Sequence, residues 1–574
     1  MEKIYKGIAA SNGVAIAKVY KNVDIPINIV KQKISNVEHE INKMHEAIEF
    51  AKKEVLNIRD LTLKNIGKNE ADIFNAHLFM LEDPFILSKV ENYIKDNQCN
   101  ASFAYQTIMN GVISEISESN NDYMLERITD IKDITKRVIA RLYRQRSSAS
   151  FDKINEPVII LAEDLTPSDT VSFDNKKVKG IITVKGGKTS HSAILARTLN
   201  IPAVVGFNMI NKILDGDMII IDGSTGEVIV NPTEETTKKY LHIQQQNIKQ
   251  ELLWKTYKDK KTTTKDNYHI DLGANIGAHG DIDNAILEGA EGVGLFRTEF
   301  LYMQSTQMPS EEEQFQAYKE ALSKMNPQKV VIRTLDVGGD KNLIYMPVKD
   351  ELNPFLGYRA LRLSLAQKDV FKVQLRALLK ASTYGDLHIM FPMVSTLEEL
   401  REAKTFLKEC EKELIEENHK IGNYKVGIMI EVPAAALFID QFAKEVDFFS
   451  IGTNDLIQYL FAADRMNQNV SYLYQPYHPV VLQTIKNIID QAHKHGVWVG
   501  VCGEMGGDPK SALVLAGLGI DELSMNPHSL LEIRWLLSKV TQKELIEFAE
   551  KTLTFQTNDE TLAYINEFLQ RLES

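Results

Sequence analysis

Residues 427–455, GIMIEVPAAALFIDQFAKEVDFFSIGTND, contain two short apolar runs, 427–431 (GIMIE) and 447–451 (DFFSI), separated by a helix-like stretch. Each run ends at once in polar residues, Glu431 after the first and Asn454 and Asp455 after the second. The same texture recurs at 269–275 (HIDLGAN), 291–296 (EGVGLF), 330–335 (VVIRTL), 387–391 (LHIMF), 497–501 (VWVGV) and 520–524 (IDELS). Eight runs, seven of them followed by a helix-like segment, make the tally of a closed (β/α)₈ barrel. Such barrels carry their chemistry at the carboxyl ends of the strands, where this sequence places Arg297, Glu299, Arg333, Asp336, Met393, Glu431, Asn454, Asp455 and Cys502. These residues are expected to converge on one pocket.

Upstream, the polar, helix-prone stretch 233–262 reads as a connecting helix or linker to the barrel at 263–574. Between Pro157 and Pro232 short β-rich runs (VIILA, GIITV, AVVG, MIIID, EVIV) alternate with Gly, Pro and Asp, and residues 1–20 share that texture. In between, Ile34, Val37, Ile41, Met44, Ile48, Ala51, Val55 and Ile58 follow steps of three and four, the spacing of one helical seam. Segments 1–20 and 147–232 are therefore expected to form one α/β domain, with residues 21–146 as a helical bundle inserted into it. The fold class is multidomain α/β: a domain with an inserted helical bundle, then a TIM-type barrel.

A chain of 574 residues has room for two to four cores. Its net charge of −12 argues against a nucleic-acid partner and requires local basic clusters for any anionic substrate. Cys99, Cys410 and Cys502 lie far apart with no paired spacing, which suggests neither a disulfide framework nor a zinc site and fits a reducing cytoplasm. The first ten residues, MEKIYKGIAA, do not read as a leader, and no stretch approaches the roughly 20 apolar residues of a membrane span. A soluble, unexported protein is expected.

Two segments carry the chemistry. Residues 186–197, GGKTSHSAILAR, follow a strand-like run and open an apparent helix, so His191 falls near a first turn whose free N–H groups would face a phosphate on its ring. Thr189 and Ser190 add hydroxyls, and a histidine with an ordinary pKa of about 6.5 keeps a neutral, nucleophilic nitrogen at neutral pH. In the barrel, Arg297, Arg333, Arg359 and Arg465 offer forked donors to carboxylate and phosphate, with Asn454 and Asp455 beside them. Glu431 and Asp455 supply hard oxygen ligands suited to Mg²⁺. Cys502, at the end of the seventh run, would carry a thiol proton at neutral pH and so suits a general acid.

The whole of GGKTSHSAILAR resembles the phosphohistidine signature of the phosphoenolpyruvate-utilising enzymes. Residues 447–465, DFFSIGTNDLIQYLFAADR, resemble that family's other diagnostic segment. FRTEFLYM from Phe296, RTLDVGGDK from Arg333, NPFLGYRALR from Asn353 and GVCGEMGGD from Gly500 look like the Enzyme I branch, the one that starts bacterial phosphotransferase systems. The resemblance runs over essentially the entire chain. Ser-Asn-Gly at 11–13 and Lys188 depart mildly from it.

The resemblance implies a phosphoenolpyruvate-protein phosphotransferase. His191 would be the phosphoryl carrier with Thr170 near it, Cys502 the proton donor, and Mg²⁺ the cofactor. The partners implied are phosphoenolpyruvate and pyruvate, the carrier protein HPr docked on the inserted bundle, and a second copy of the barrel. A dikinase or synthase of the same family would need an ATP-binding module, for which this chain has no room. A nitrogen-regulatory paralogue would add an N-terminal sensory domain. A metal-dependent pyruvate lyase on a similar barrel would leave the His191 segment without a use.

Overall fold

The structure is a computed structural model. It describes residues 2–22, 29–65, 74, 77–117, 122–143, 154, 156–165, 177–187, 192–193, 196, 201–277, 280–303, 305, 307–339, 343, 345–346, 351–465, 467 and 469–573. The chain divides into two compact units, residues 1–250 and 251–574.

The first unit is built on one eight-stranded sheet. Its strands are β1 (Lys3–Lys6), β2 (Ile8–Ser11), β3 (Val14–Asn22), β4 (Val158–Ala162), β5 (Val178–Thr183), β6 (Ala203–Val205), β7 (Met218–Asp222) and β8 (Glu227–Val230), in the spatial order β1-β8-β7-β3-β4-β5-β6-β2. The first three strands are thus split between both edges and the middle of the sheet. β3 pairs parallel with β4 and antiparallel with β7. Nearly continuous apolar runs such as VIILA in β4 fit this, because both faces of the sheet are covered by core residues.

Between β3 and β4 the helices Val37–Asn65, Pro84–Asn97, Ala101–Ser117 and Asp122–Leu142 enclose a core of their own. Met44, Ile48, Ala51 and Val55 of the seam read from the sequence are buried in it, against Val90, Ile94, Tyr105 and Val138. The second of these helices starts at a capped first turn. Asp83 caps it by accepting from Phe85 N at 2.8 Å, and Pro84 occupies the first position, where its missing N–H has no cost.

The second unit is a closed, all-parallel barrel of β9 (Asp271–Ile276), β10 (Gly292–Arg297), β11 (Lys329–Arg333), β12 (Asp386–Phe391), β13 (Tyr424–Ile430), β14 (Phe448–Ile451), β15 (Trp498–Val501) and β16 (Glu522–Met525). Every one of the eight apolar runs is a strand, and β16 pairs with β9 to close the ring. The lumen is packed with Leu295, Val331, Met390, Met429, Phe448 and Cys502. Glycines make room for this filling: a Cβ on Gly294 would lie 2.4 Å from Ser524 Cβ, and one on Gly427 would lie 2.5 Å from the Phe448 ring. At the amino end Lys329 Nζ bridges Asp271 at 2.6 Å and the buried Glu522 at 3.0 Å and lies 4.3 Å from the centre of the Trp498 ring, so an ion pair set against an aromatic ring closes the floor. Arg534 donates to the carbonyls of Tyr257 and Lys258 and to Thr262 Oγ1, so residues 257–262, within the stretch read as linker, are fastened to the barrel.

Candidate active site

At the carboxyl end of the barrel, a cavity of about 360 Å³ is lined by Arg297, Glu299, Arg333, Asp336, Arg359, Met429, Glu431, Asn454, Asp455, Arg465, Cys502 and Glu504, among others. Arg297 and Arg333 are register partners at the last rung of β10 and β11. Thr298 Oγ1 donates to Arg333 O at 2.8 Å, and Gln374, from helix Lys368–Ala381, ties Thr298 Oγ1 to Leu335 N. The two strand ends and the loop after β11 are therefore held by one helix side chain.

Acids orient the buried arginines. Arg333 reaches Glu299 at 2.7 Å and Asp336 at 2.9 Å, and Arg359 reaches Asp336 at 2.9 Å and Asp455 at 3.4 Å. Asp336 thus joins two guanidiniums through its two oxygens. Burial by itself presses both arginine pKa values down, but the surrounding carboxylates outweigh it and hold both above the ordinary range. Arg465 is more open, its guanidinium 4.0 Å from Asp455.

Glu431 follows β13, and only 2 % of its surface is exposed. Burial, then repulsion from Asp455 and Asp336, raises its pKa to about 8 despite Arg333 and Arg359. Asp455 lies in the first turn of helix Thr453–Leu460, where free N–H groups favour a negative charge. Asn454 Oδ1 accepts from Glu504 N at 3.0 Å, which locks the loops after β14 and β15 together. Cys502 stands one residue beyond β15, buried, and burial raises its pKa to about 11 against the opposing pull of Ser450, Arg333 and Arg297.

These residues fit a divalent cation. Five carboxylates line the cavity with four guanidiniums, so it has no surplus of positive charge for a substrate bearing both carboxylate and phosphate. The repulsion from Asp455 and Asp336 that helps raise the Glu431 pKa would be relieved by a hard cation between Glu431 and Asp455. A Cβ on Gly452 would come within 3.0 Å of Glu431 Oε2, so the glycine leaves that oxygen approachable. A second group, His269, Asp271 and Glu291, also gathers ligand atoms, but on the opposite end of the barrel. Its atoms already serve the protein: His269 binds Thr262 O and Asp271 at 2.8 Å each, Glu291 accepts from Thr262 N and Leu272 N, and Asp271 pairs with Lys329.

The structure brings Arg297, Arg333, Arg359, Glu431, Asn454, Asp455, Arg465 and Cys502 to one cavity. His191, Thr189, Ser190 and Thr170 lie outside the described residues. Beside them, Ser192 Oγ donates to Asp164 Oδ1 at 3.1 Å, and Ala193 and Ala196 are in the core. Sequence reasoning did not single out Glu504, Tyr459 or Met429. Tyr459 accepts from Arg359 at 3.5 Å and donates to Phe355 O at 2.5 Å, while Arg333 Nη1 stands 3.7 Å from the Met429 sulfur. Glu504 lies in a segment already quoted, two residues after Cys502, and that nearness was the available signal.

Fold and site together define a barrel enzyme that grips a small polyanion with arginines at the carboxyl mouth. Residues 251–542 match the PEP-binding domain of PEP-utilising enzymes, residues 6–127 their N-terminal domain and residues 154–226 their mobile domain. The chain is 47 % identical over 564 residues to the phosphoenolpyruvate-protein phosphotransferase of Bacillus subtilis strain 168, covering 98 % of this chain and 99 % of that protein. It is 47 % identical over 573 residues to the protein of the same name from Staphylococcus aureus MSSA476, covering 99 % and 100 %, and 47 % over 566 residues to that of Geobacillus stearothermophilus, covering 98 % of each. The chain belongs to the PEP-utilising enzyme family, in the branch of the phosphoenolpyruvate-protein phosphotransferases.

Proposed function

We propose that this chain transfers the phosphoryl group of phosphoenolpyruvate to its own His191 and then to a histidine of the carrier protein HPr, releasing pyruvate as the first step of sugar uptake by a phosphotransferase system. The observation that carries the reading is the single cavity holding four guanidiniums, the buried pair Glu431 and Asp455, and the thiol of Cys502.

Arg297, Arg333, Arg359 and Arg465, with Asn454, bind and orient the two charged ends of the substrate. The P–O bond to the enolate breaks as a P–N bond forms to the His191 ring, and the guanidiniums stabilise charge on both fragments. Mg²⁺ held by Glu431 and Asp455 would supply further neutralisation of that charge. Cys502 then gives its proton to the methylene carbon. The electron pair of the enolate double bond forms the new C–H bond, its oxygen becomes the ketone, and water restores the thiol. In this reading Thr189 and Ser190, next to His191 in sequence, offer it hydroxyls, and Thr170 is the threonine that the resemblance implies near it.

Domain roles follow the same reading. Residues 1–20 and 147–232 form the phosphohistidine domain, and residues 21–146 dock HPr, for which the exposed Phe79 and Phe85 are candidate contacts. Because His191 must serve both substrate and carrier, its domain swings about the segment 233–262, at positions before the stretch fastened by Arg534. The barrel at 263–574 forms a homodimer, and the exposed Leu352, Leu356, Leu437 and Phe438, in the connections that follow β11 and β13, support that role. No helix among the described residues is long and apolar enough to cross a membrane. A cytoplasmic setting, where both phosphoenolpyruvate and HPr are found, completes the proposal, with no nucleic-acid partner. Incubation with radiolabelled phosphoenolpyruvate and Mg²⁺ tests it: acid-labile, base-stable label on the protein supports the transfer, and an unlabelled protein that still consumes substrate overturns it.

A further inference from the structure

The ladder that aligns β15 stops one residue short of Cys502, the last pair being Val501 with Leu523. The cysteine is nevertheless held on both sides of its backbone. Its N–H donates to Ile451 O at 3.1 Å. Its carbonyl accepts from Nδ2 of Asn275, a β9 residue 227 positions away in sequence, at 3.0 Å. Asn275 Oδ1 in turn accepts from Ser524 Oγ at 2.7 Å. The amide has one workable orientation, because turning it over would aim Oδ1 at the carbonyl oxygens of Cys502 and Ser524. The hydroxyl that completes the chain is walled in as well: a Cβ on Gly294 would come within 2.4 Å of Ser524 Oγ, and one on Gly273 within 3.1 Å. Past Cys502 the chain is confined again, since a Cβ on Gly503 would lie 1.9 Å from Thr453 Oγ1.

We propose that Asn275, locked by Ser524, is the positioning residue that aims the Cys502 thiol at one face of the enolate. The inference rests on Cys502 being the proton donor. Asn275 does not line the cavity; it fixes the carbonyl of the residue that bears the acid, and so the backbone from which the Cα–Cβ bond sets out, while the thiol itself donates to Ile451 O at 3.8 Å.

The test follows protonation of stereospecifically labelled phosphoenolpyruvate by the full chain. Asn275→Ala should lower the rate of pyruvate formation about 10- to 100-fold, the scale of a misplaced catalytic group, erode facial selectivity, and leave KM for phosphoenolpyruvate within about twofold. Asn275→Asp supplies a conditional rescue. Its carboxyl donates to the Cys502 carbonyl only when protonated, so its rate relative to Asn275→Ala should rise as pH falls. Ser524→Ala, which keeps Asn275 but frees its amide, should give a smaller loss of selectivity and serves if Asn275→Ala does not fold. Wild-type selectivity in folded Asn275→Ala or Ser524→Ala, with Cys502→Ala having lost it, overturns the role of Asn275 and leaves the donor assignment standing. Retained selectivity in Cys502→Ala overturns the donor assignment itself.

Discussion

The backbone N–H of Met393 donates to Oε1 of Glu431 across 2.6 Å, and Met393 makes that contact from the left-handed region, at φ +56°. A non-glycine residue held there costs about 1–3 kcal/mol, which the packed mouth of the barrel sustains. One oxygen of Glu431 is thereby committed to the protein, leaving Oε2, beside Gly452, to face the cavity.

Metal binding should therefore be linked to pH. Burial and the neighbouring carboxylates raise the Glu431 pKa from the ordinary 4.5 to about 8, which moves its ionisation toward neutral pH. Its contribution to stability is present below about pH 4.5 and is lost as pH rises through about 8. Mg²⁺ must displace that proton, so its affinity should climb from pH 6 to 8 and then level off. Calorimetry in two buffers of different ionisation enthalpy should register proton release at pH 7, and Glu431→Gln should remove both the release and the slope.

His191→Ala should abolish labelling by phosphoenolpyruvate while leaving the barrel able to bind it. Labelling and equilibrium binding measured on one preparation check this, and undiminished label would move the carrier elsewhere.

Residues 1–255, which end with helix Glu234–Lys255, should exchange phosphate reversibly with phosphorylated HPr yet not react with phosphoenolpyruvate. A folded fragment that cannot exchange would place docking outside 21–146.

Cys502→Ala should slow pyruvate formation by about 10²- to 10⁴-fold, the usual share of a general acid, with substrate binding nearly intact. Glu431→Ala and Arg465→Ala should instead impair phosphorylation of His191. Because burial raises the thiol to about 11, the donor limb of the single-turnover pH profile should stay flat well past pH 9.

Lys329→Met should cost about 3–5 kcal/mol, since it strands the buried Glu522 without its counter-charge. Burial already raises the Glu522 pKa with the lysine present. An acid with a raised folded pKa loses stability as pH rises, so the variant's deficit in denaturant titrations should be smaller at pH 5 than at pH 8.

The barrel was legible because each strand is a short apolar run ending in polar residues, a pattern confined to a few neighbours in sequence. That also exposed Arg297, Arg333, Glu431, Asp455 and Cys502 as residues at strand ends. Asn275 escaped notice inside HIDLGAN, since its partner lies 227 residues on and no local period records such a pair. The floor bridge of Lys329 and Glu522 was hidden for the same reason, each residue reading as the polar edge of its own strand. The left-handed turn at Met393 had no glycine or asparagine to announce it.

The sheet of the first unit imposes an order on biosynthesis. β1 and β2 become its two edges and β3 a central strand, yet Lys18 of β3 finds its neighbours at Val158 and Met218. The core of the helices between them is drawn from residues 29–143 among the described residues, so the bundle can consolidate on the ribosome while β3, VAIAKVYKN, still lacks both partners. At about 5–20 residues per second, β4 is complete roughly seven to thirty seconds after β3, and β7 roughly ten to forty seconds after it. Until β4 is made the strand has two open edges, and until β7 is made it has one, which leaves an apolar edge open to pairing with other nascent chains.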